Sequence, residues 1–189
     1  EDPENLLGVD PDRLIRSQRA GGKALEEFYR LQMSSGFPWC IASIPIPSWA
    51  KRVFPDVAED EAVAKLWEAI LSTSRVDDDP VKAWEKHNAD LADRCAYLNA
   101  LNIRSLHYTA DNGTDLTVGM IPEAIFCGGA EASKRKIVFN PNIPSEECFI
   151  SPMRGKAEGI VYSTMPLSYQ GQIIDEFWIR FEEGKAVDS

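Results

Sequence analysis

The stretch Asn140-Pro141-Asn142-Ile143-Pro144-Ser145-Glu146-Glu147-Cys148-Phe149-Ile150-Ser151-Pro152 is held out of helix by its prolines. Each proline removes a backbone donor and fixes its own φ near about −65°. Each also biases the residue before it toward the extended region. Glu146 and Glu147 stand at the mouth of a short apolar run, Cys148-Phe149-Ile150. Carboxylates placed before a strand that favours burial cost solvation unless a metal ion, an arginine or water meets them. Successive strand side chains point to opposite faces, so in a regular strand only one of the two acids aims at any one site. That argues against the glycosidase arrangement of two carboxyls across one bond. It leaves room for a single metal-ligating carboxylate. The other reading is a solvated acidic pair at a strand end, as most such pairs are.

Beyond this stretch the pattern is β-rich. Glu158 to Thr164 and Ile173 to Phe181 read as strand partners around a Gln170-Gly171 turn, and Phe181 to Ser189 as a strand, a turn and a return strand. Before the stretch, Arg104 to Thr109 and Asp115 to Gly119 flank Asn112-Gly113, a strong hairpin signal. Ile121 to Phe126 and Ile137 to Phe139 are further strand candidates.

Earlier still the period changes to helical. Asp10 is the expected N-cap and Pro11 the first residue of a helix to about Met33. Its Gly21-Gly22 pair predicts close packing against a neighbour, with no phosphate-loop pattern around it. Trp39 to Ile44 reads as a strand buried on both faces, ended by Pro45 and Pro47. Ser48 to Pro55 reads as a turn of helix or loop. Helices follow from about Glu59 to Ser74 and from Pro80, capped by Asp79, to about Ala100. The expected fold class is α/β, a mixed sheet with flanking helices in the N-terminal half and a β-rich C-terminal half. Residues 1–189 read as a single mixed α/β unit, helical and α/β to about residue 102 and β-rich from about 103.

The formal net charge is −10, which disfavours nucleic acid and anionic membranes as partners. No apolar run approaches the roughly 18 residues of a membrane span. Cys40, Cys95, Cys127 and Cys148 form no C-x-x-C pair and fit small packed thiols in a reducing, cytoplasmic compartment. Glu1 opens in loop-like sequence and the last residues begin a return strand, so the expectation is a fragment of a longer chain.

Of the two histidines, His87 lies on a helix with no second ligand at i+4. His107 is expected to face Asp115 or Thr117 across the hairpin as a structural hydrogen bond. Asn88 reads as a hydrogen-bonded polar group within a helical stripe. The Asp77-Asp78-Asp79 run lacks the spacing of a calcium loop. Spacing alone defines no complete active site.

One resemblance runs through Trp49-Ala50 to Phe54-Pro55-Asp56, Leu106-His107-Tyr108-Thr109, Gly113 to Gly119, Asn142 to Phe149, Ser163 to Tyr169 and Glu183-Gly184-Lys185. In this order, and over essentially the whole chain, the sequence resembles the aminopeptidase T, aminopeptidase S and aminopeptidase II family of metallopeptidases. The resemblance implies a cytoplasmic exopeptidase, typically dimeric, that removes N-terminal residues from peptides with two divalent metal ions, zinc, cobalt or magnesium. The family's first metal-ligating glutamate lies in an N-[I/M]-P-[T/S]-x-E motif, which places it at Glu147. Glu146 occupies the variable position, and Cys148 stands where the family usually has valine. The family's remaining ligands and active-site residues come later than this chain extends, and neither His87 nor His107 matches them. The resemblance therefore implies an inactive piece carrying one ligand. The alternative is a noncatalytic α/β binding or interaction module in which Glu147 is a surface acid.

Overall fold

The computed structural model describes residues 6, 8–76, 78–169 and 172–189. The helices are α1 (Pro11–Ala24), α2 (Glu26–Met33), α3 (Pro47–Val53), α4 (Glu59–Thr73) and α5 (Pro80–Ala100). The strands are β1 (Ile41–Ala42), β2 (Ser105–Thr109), β3 (Asp115–Met120), β4 (Glu131–Ala132), β5 (Val138–Phe139), β6 (Asn142–Ile143), β7 (Pro152–Tyr162), β8 (Leu167–Tyr169), β9 (Gln172–Ile174), β10 (Trp178–Glu182) and β11 (Lys185–Asp188). This is the mixed α/β fold class expected from the sequence. By its contacts the chain divides into two compact units, one of residues through Leu91 with Gly128–Glu147, the other Ala92–Cys127 with Cys148–Ser189.

In the first unit, α3 and α4 pack around buried Ala50, Ala62 and Leu66, with Trp49, Phe54, Val57, Val63 and Ile70 against them. Acidic Glu59, Asp60 and Glu61 occupy the first turn of α4, where the helix dipole favours them. The helix expected over Pro11 to Met33 is two helices. Asp10 caps the first as expected, its side chain accepting from the Asp12 N–H at 2.9 Å. The break falls at Leu25 (φ −104°, ψ 12°) and not at Gly21-Gly22. Beyond the adjoining residues and the helix's own backbone, no atom of the described residues lies within 4 Å of a Cβ built at either glycine, so close packing against a neighbour does not account for the pair. The apolar run Trp39 to Ile44 also differs from expectation. Only Ile41–Ala42 is strand, paired in parallel with Asn142–Ile143, and Ile41 and Ile44 are exposed. Pro38 and Pro45 only bound the run, and composition alone does not supply a second neighbouring strand.

The second unit is built on a five-stranded antiparallel sheet of order β11-β10-β7-β3-β2. The Asn112-Gly113 hairpin joins β2 to β3, with Gly113 at φ 96° and the Asn112 side chain accepting from the Thr114 N–H at 3.1 Å. Register places Leu106, Leu116, Val118, Ala157, Val161, Ile179 and Phe181 on one face. His107, Asp115, Thr117, Glu158, Arg180 and Glu182 share the other. Ile121 to Phe126 is not strand. Residues 152–162 pair with Trp178–Glu182, whereas Leu167–Tyr169 and Gln172–Ile174 form a hairpin of their own. The expected turn residues Gln170 and Gly171 lie outside the described residues, as does Asp77.

At Gly159 the β3 and β7 backbones come too close for a side chain. Its φ is 113°, and a Cβ there would stand 2.0 Å from the Asp115 carbonyl oxygen. Gly159→Ala should therefore cost about 2–4 kcal/mol, from a left-handed backbone plus a displaced strand. The expected result is a lower urea midpoint with unchanged slope; an unshifted midpoint would contradict the close approach.

Candidate metal centre

Glu146 and Glu147 do not lie in a regular strand. After β6 and the cis Ile143–Pro144 bond the chain runs irregularly to an isolated bridge at Phe149. The face argument from strand alternation therefore does not apply, although the two carboxylates still differ in their surroundings.

The end of α4 sets that difference. Leu71, Ser72 and Thr73 form its last turn and Ser74 is the C-cap. The Arg75 N–H donates to Ser72 O at 3.1 Å and the Val76 N–H to Leu71 O at 2.8 Å. These are the two bonds of a Schellman stop, whose first residue beyond the cap adopts a left-handed conformation and is usually glycine. Here it is Arg75, at φ 57°. Its guanidinium reaches Glu146 Oε1 at 2.5 Å, with Cζ 5.8 Å from the centre of the Trp84 ring. Trp84 on α5 donates its indole N–H to Ser74 O at 2.8 Å, tying the two helices together.

One turn on, buried His87 packs edge-on to Trp84 with ring centres 5.4 Å apart. His87 Nε2 lies 2.6 Å from Ser145 O and 3.8 Å from Glu146 Oε2. A carbonyl only accepts, so the short contact puts the proton on Nε2. Asn88 and Asn140 exchange two amide hydrogen bonds of 3.0 and 2.8 Å, which meets the expectation of a satisfied polar group. The segment is thus held at Asn140, Ser145 and Glu146 by α5 and by the end of α4.

Glu147 is exposed. Its carboxylate enters no ion pair or side-chain hydrogen bond with the described residues. A hard oxygen donor with its lone pairs uncommitted fits one ligand position of a divalent cation. Glu146 is engaged with Arg75 and does not fit a second. Among the described residues no three His, Cys, Asp or Glu side chains gather to hold a metal. His107 sits in the other unit, its Nε2 2.7 Å from Asp115 Oδ1, both side chains exposed. Asp79 caps α5 through the Lys82 N–H at 3.1 Å. Sequence reading missed Arg75, since no spacing links residue 75 to residue 146 and a turn arginine carries no motif.

The family described as Thermophilic metalloprotease (M29) matches residues 1–189. The chain belongs to this family, which implies a metal cofactor. It is 42% identical over 188 residues to aminopeptidase T of Thermus aquaticus and 40% identical over 187 residues to aminopeptidase 2 of Geobacillus stearothermophilus. These alignments take in 99% and 98% of this chain and 46% and 45% of the relatives. The solved structure of wild-type AmpT from Thermus thermophilus superposes with a TM-score of 0.86 at 39% identity, covering 100% of this chain and 46% of that one. The chain thus spans about half the length of the curated relatives it matches.

Arg75 serves two ends that substitution separates. Arg75→Gly loses the Glu146 pair but relieves the left-handed backbone, whereas Arg75→Ala loses the pair and keeps the strain. The glycine variant should be the more stable of the two by about 1 kcal/mol in chemical denaturation. Equal stabilities would show that residue 75 is not held left-handed.

Proposed function

We propose that this chain is part of a metal-dependent aminopeptidase that removes N-terminal residues from peptides, and that Glu147 supplies one carboxylate to its divalent metals. The supporting observation is the family match over the whole chain, joined to an exposed and uncommitted Glu147 at the end of the N-I-P-S-E-E run. Such metals, when bound, polarise the scissile carbonyl and lower the pKa of the attacking water. The chain's own part is positional. Arg75 and His87 hold Glu146 and the Ser145 carbonyl, the Asn88–Asn140 pair holds the segment's start, and Glu147 is left directed to solvent.

In this reading the metals are two ions of zinc, cobalt or magnesium, the substrates are peptides, and the whole enzyme is a cytoplasmic homodimer. The net charge of −10 suits neither nucleic acid nor an anionic membrane. Among the described residues no helix is long and apolar enough to cross a membrane.

A catalytic metal site typically takes about three protein ligands, and Glu147 is one. The 189-residue chain by itself should release no N-terminal amino acid from leucine amide with zinc, cobalt or magnesium present. Robust metal-dependent release would overturn this. In the full-length enzyme, Glu147→Gln should cut turnover by about 100-fold or more and lower the bound metal measured by elemental analysis. If Glu147→Gln leaves both metal content and turnover intact, Glu147 is a surface acid and this part of the chain is a noncatalytic module.

A further inference from the structure

The five-stranded sheet of the second unit ends in two edges, β11 and β2, and only one of them is guarded. Edge strands escape unwanted pairing through lysines, prolines, bulges or short length. The four residues of β11 include Lys185 and Asp188, and a register break between Arg180 and Phe181 lies in its pairing with β10. β2 runs Ser105-Leu106-His107-Tyr108-Thr109, with no lysine, no proline and no break in its register against β3.

The bonds at the two ends of the β2–β3 ladder fix which way the backbone groups of β2 point. The Met120 N–H donates to Arg104 O at 2.9 Å, and the Ala110 N–H to Thr114 O at 3.1 Å. Bonded and non-bonded pairs alternate along an antiparallel ladder. Leu106 and Tyr108 therefore direct their N–H and C=O to β3, and Ser105, His107 and Thr109 turn theirs outward. Among the described residues no strand and no backbone group meets these three. The side chains of Ser105, His107 and Thr109 are exposed on one face, and Tyr108 is 49% exposed on the other.

The strand reads almost the same in both directions about His107: hydroxyl, apolar, histidine, apolar, hydroxyl. That symmetry is what an isologous contact requires. We propose that β2 pairs with β2 of a second copy, antiparallel about a two-fold axis beside His107, and joins the two sheets into one. In that register Ser105 lies opposite the partner's Thr109, Leu106 opposite the partner's Tyr108, and His107 opposite the partner's His107. The outward N–H and C=O groups are then bonded across the axis. A pair of hydroxyls, and an aromatic beside an aliphatic side chain, are favourable cross-strand neighbours. Asp115 Oδ1, 2.7 Å from His107 Nε2, sets a carboxylate beside each imidazole where the copies meet. This interface rests on the homodimer reading given above and is independent of any metal role for Glu147.

Sedimentation of the full-length enzyme tests the pairing. The native enzyme should be a dimer. His107→Pro takes no bond from the β2–β3 ladder, because the N–H it removes points outward. It should weaken the dimer by about 100-fold or more, whereas His107→Ala should weaken it by no more than about 5-fold. A second variant decides the matter where the proline variant does not fold. With the exposed Cys40 and Cys127 replaced by serine, His107→Cys sets the two introduced sulfurs across the axis at a Cα separation of about 5.5 Å, within reach of a disulfide. Mild oxidation should link two chains through residue 107, and dithiothreitol should part them. A native enzyme that sediments as a monomer overturns this pairing and the homodimer reading together. A native dimer that a folded His107→Pro leaves intact overturns the pairing alone, as does a dimeric His107→Cys that forms no link. An extended peptide, or another strand of the full-length chain, seated on β2 would give that second result.

Discussion

Arg75 reaches Glu146 from a helix end that its own backbone has closed, and the surroundings of Glu147 follow from that reach. A glycine would satisfy the Schellman stop at lower conformational cost. The arginine adds a guanidinium that meets one acid of an adjacent pair and rests against Trp84, whose indole closes the same turn at Ser74 O. His87 completes the hold by donating to the Ser145 carbonyl. Two adjacent acids of the same type thus have different surroundings. Neither the sign nor the number of charges separates them; the position of one cation does.

The second unit rests on a different constraint, the sheet's pleat. One face carries Leu106, Val118, Ala157 and Val161, and the opposite face carries His107, Thr117 and Glu158. Side chains of one period on one face set which residues meet across strands. The His107–Asp115 contact arises in this way, as an exposed neighbour pair of the polar face. Among the described residues no nucleophile is hydrogen-bonded to His107, as a triad would require.

Much of this architecture was legible in the sequence. The caps at Asp10 and Asp79, the helices beginning at Glu59 and Pro80, and the Asn112-Gly113 hairpin all depend on local chemistry, and local chemistry is what a sequence displays. The fold class followed from the change of period after Ala100. Where the structure departs from expectation, the deciding partner is distant in sequence or absent from any pattern. The run Trp39 to Ile44 has a strand's composition, yet its pairing depends on Asn142 and Ile143, about a hundred residues away. The expected partnership of residues 158–164 with residues 173–181 is met, Gly159–Tyr162 pairing with Trp178–Phe181, but the separate hairpin that Leu167–Tyr169 closes with Gln172–Ile174 was not read. At the candidate site Glu147 was singled out through resemblance. The clamp that holds its neighbour was not, because an ion pair between residues 75 and 146 leaves no mark on either local sequence.

The register of β7 also bears on how the second unit opens. Over Gly159 and Ile160 this strand pairs with β3 on one side and β10 on the other, so its amides and carbonyls are engaged along both edges. The two edge strands are β11, short and exposed at every residue, and β2, exposed at all but Leu106. Within one copy, hydrogen-bond protection is therefore graded from both edges inward, and the middle of β7 exchanges its amide hydrogens only when the unit opens cooperatively.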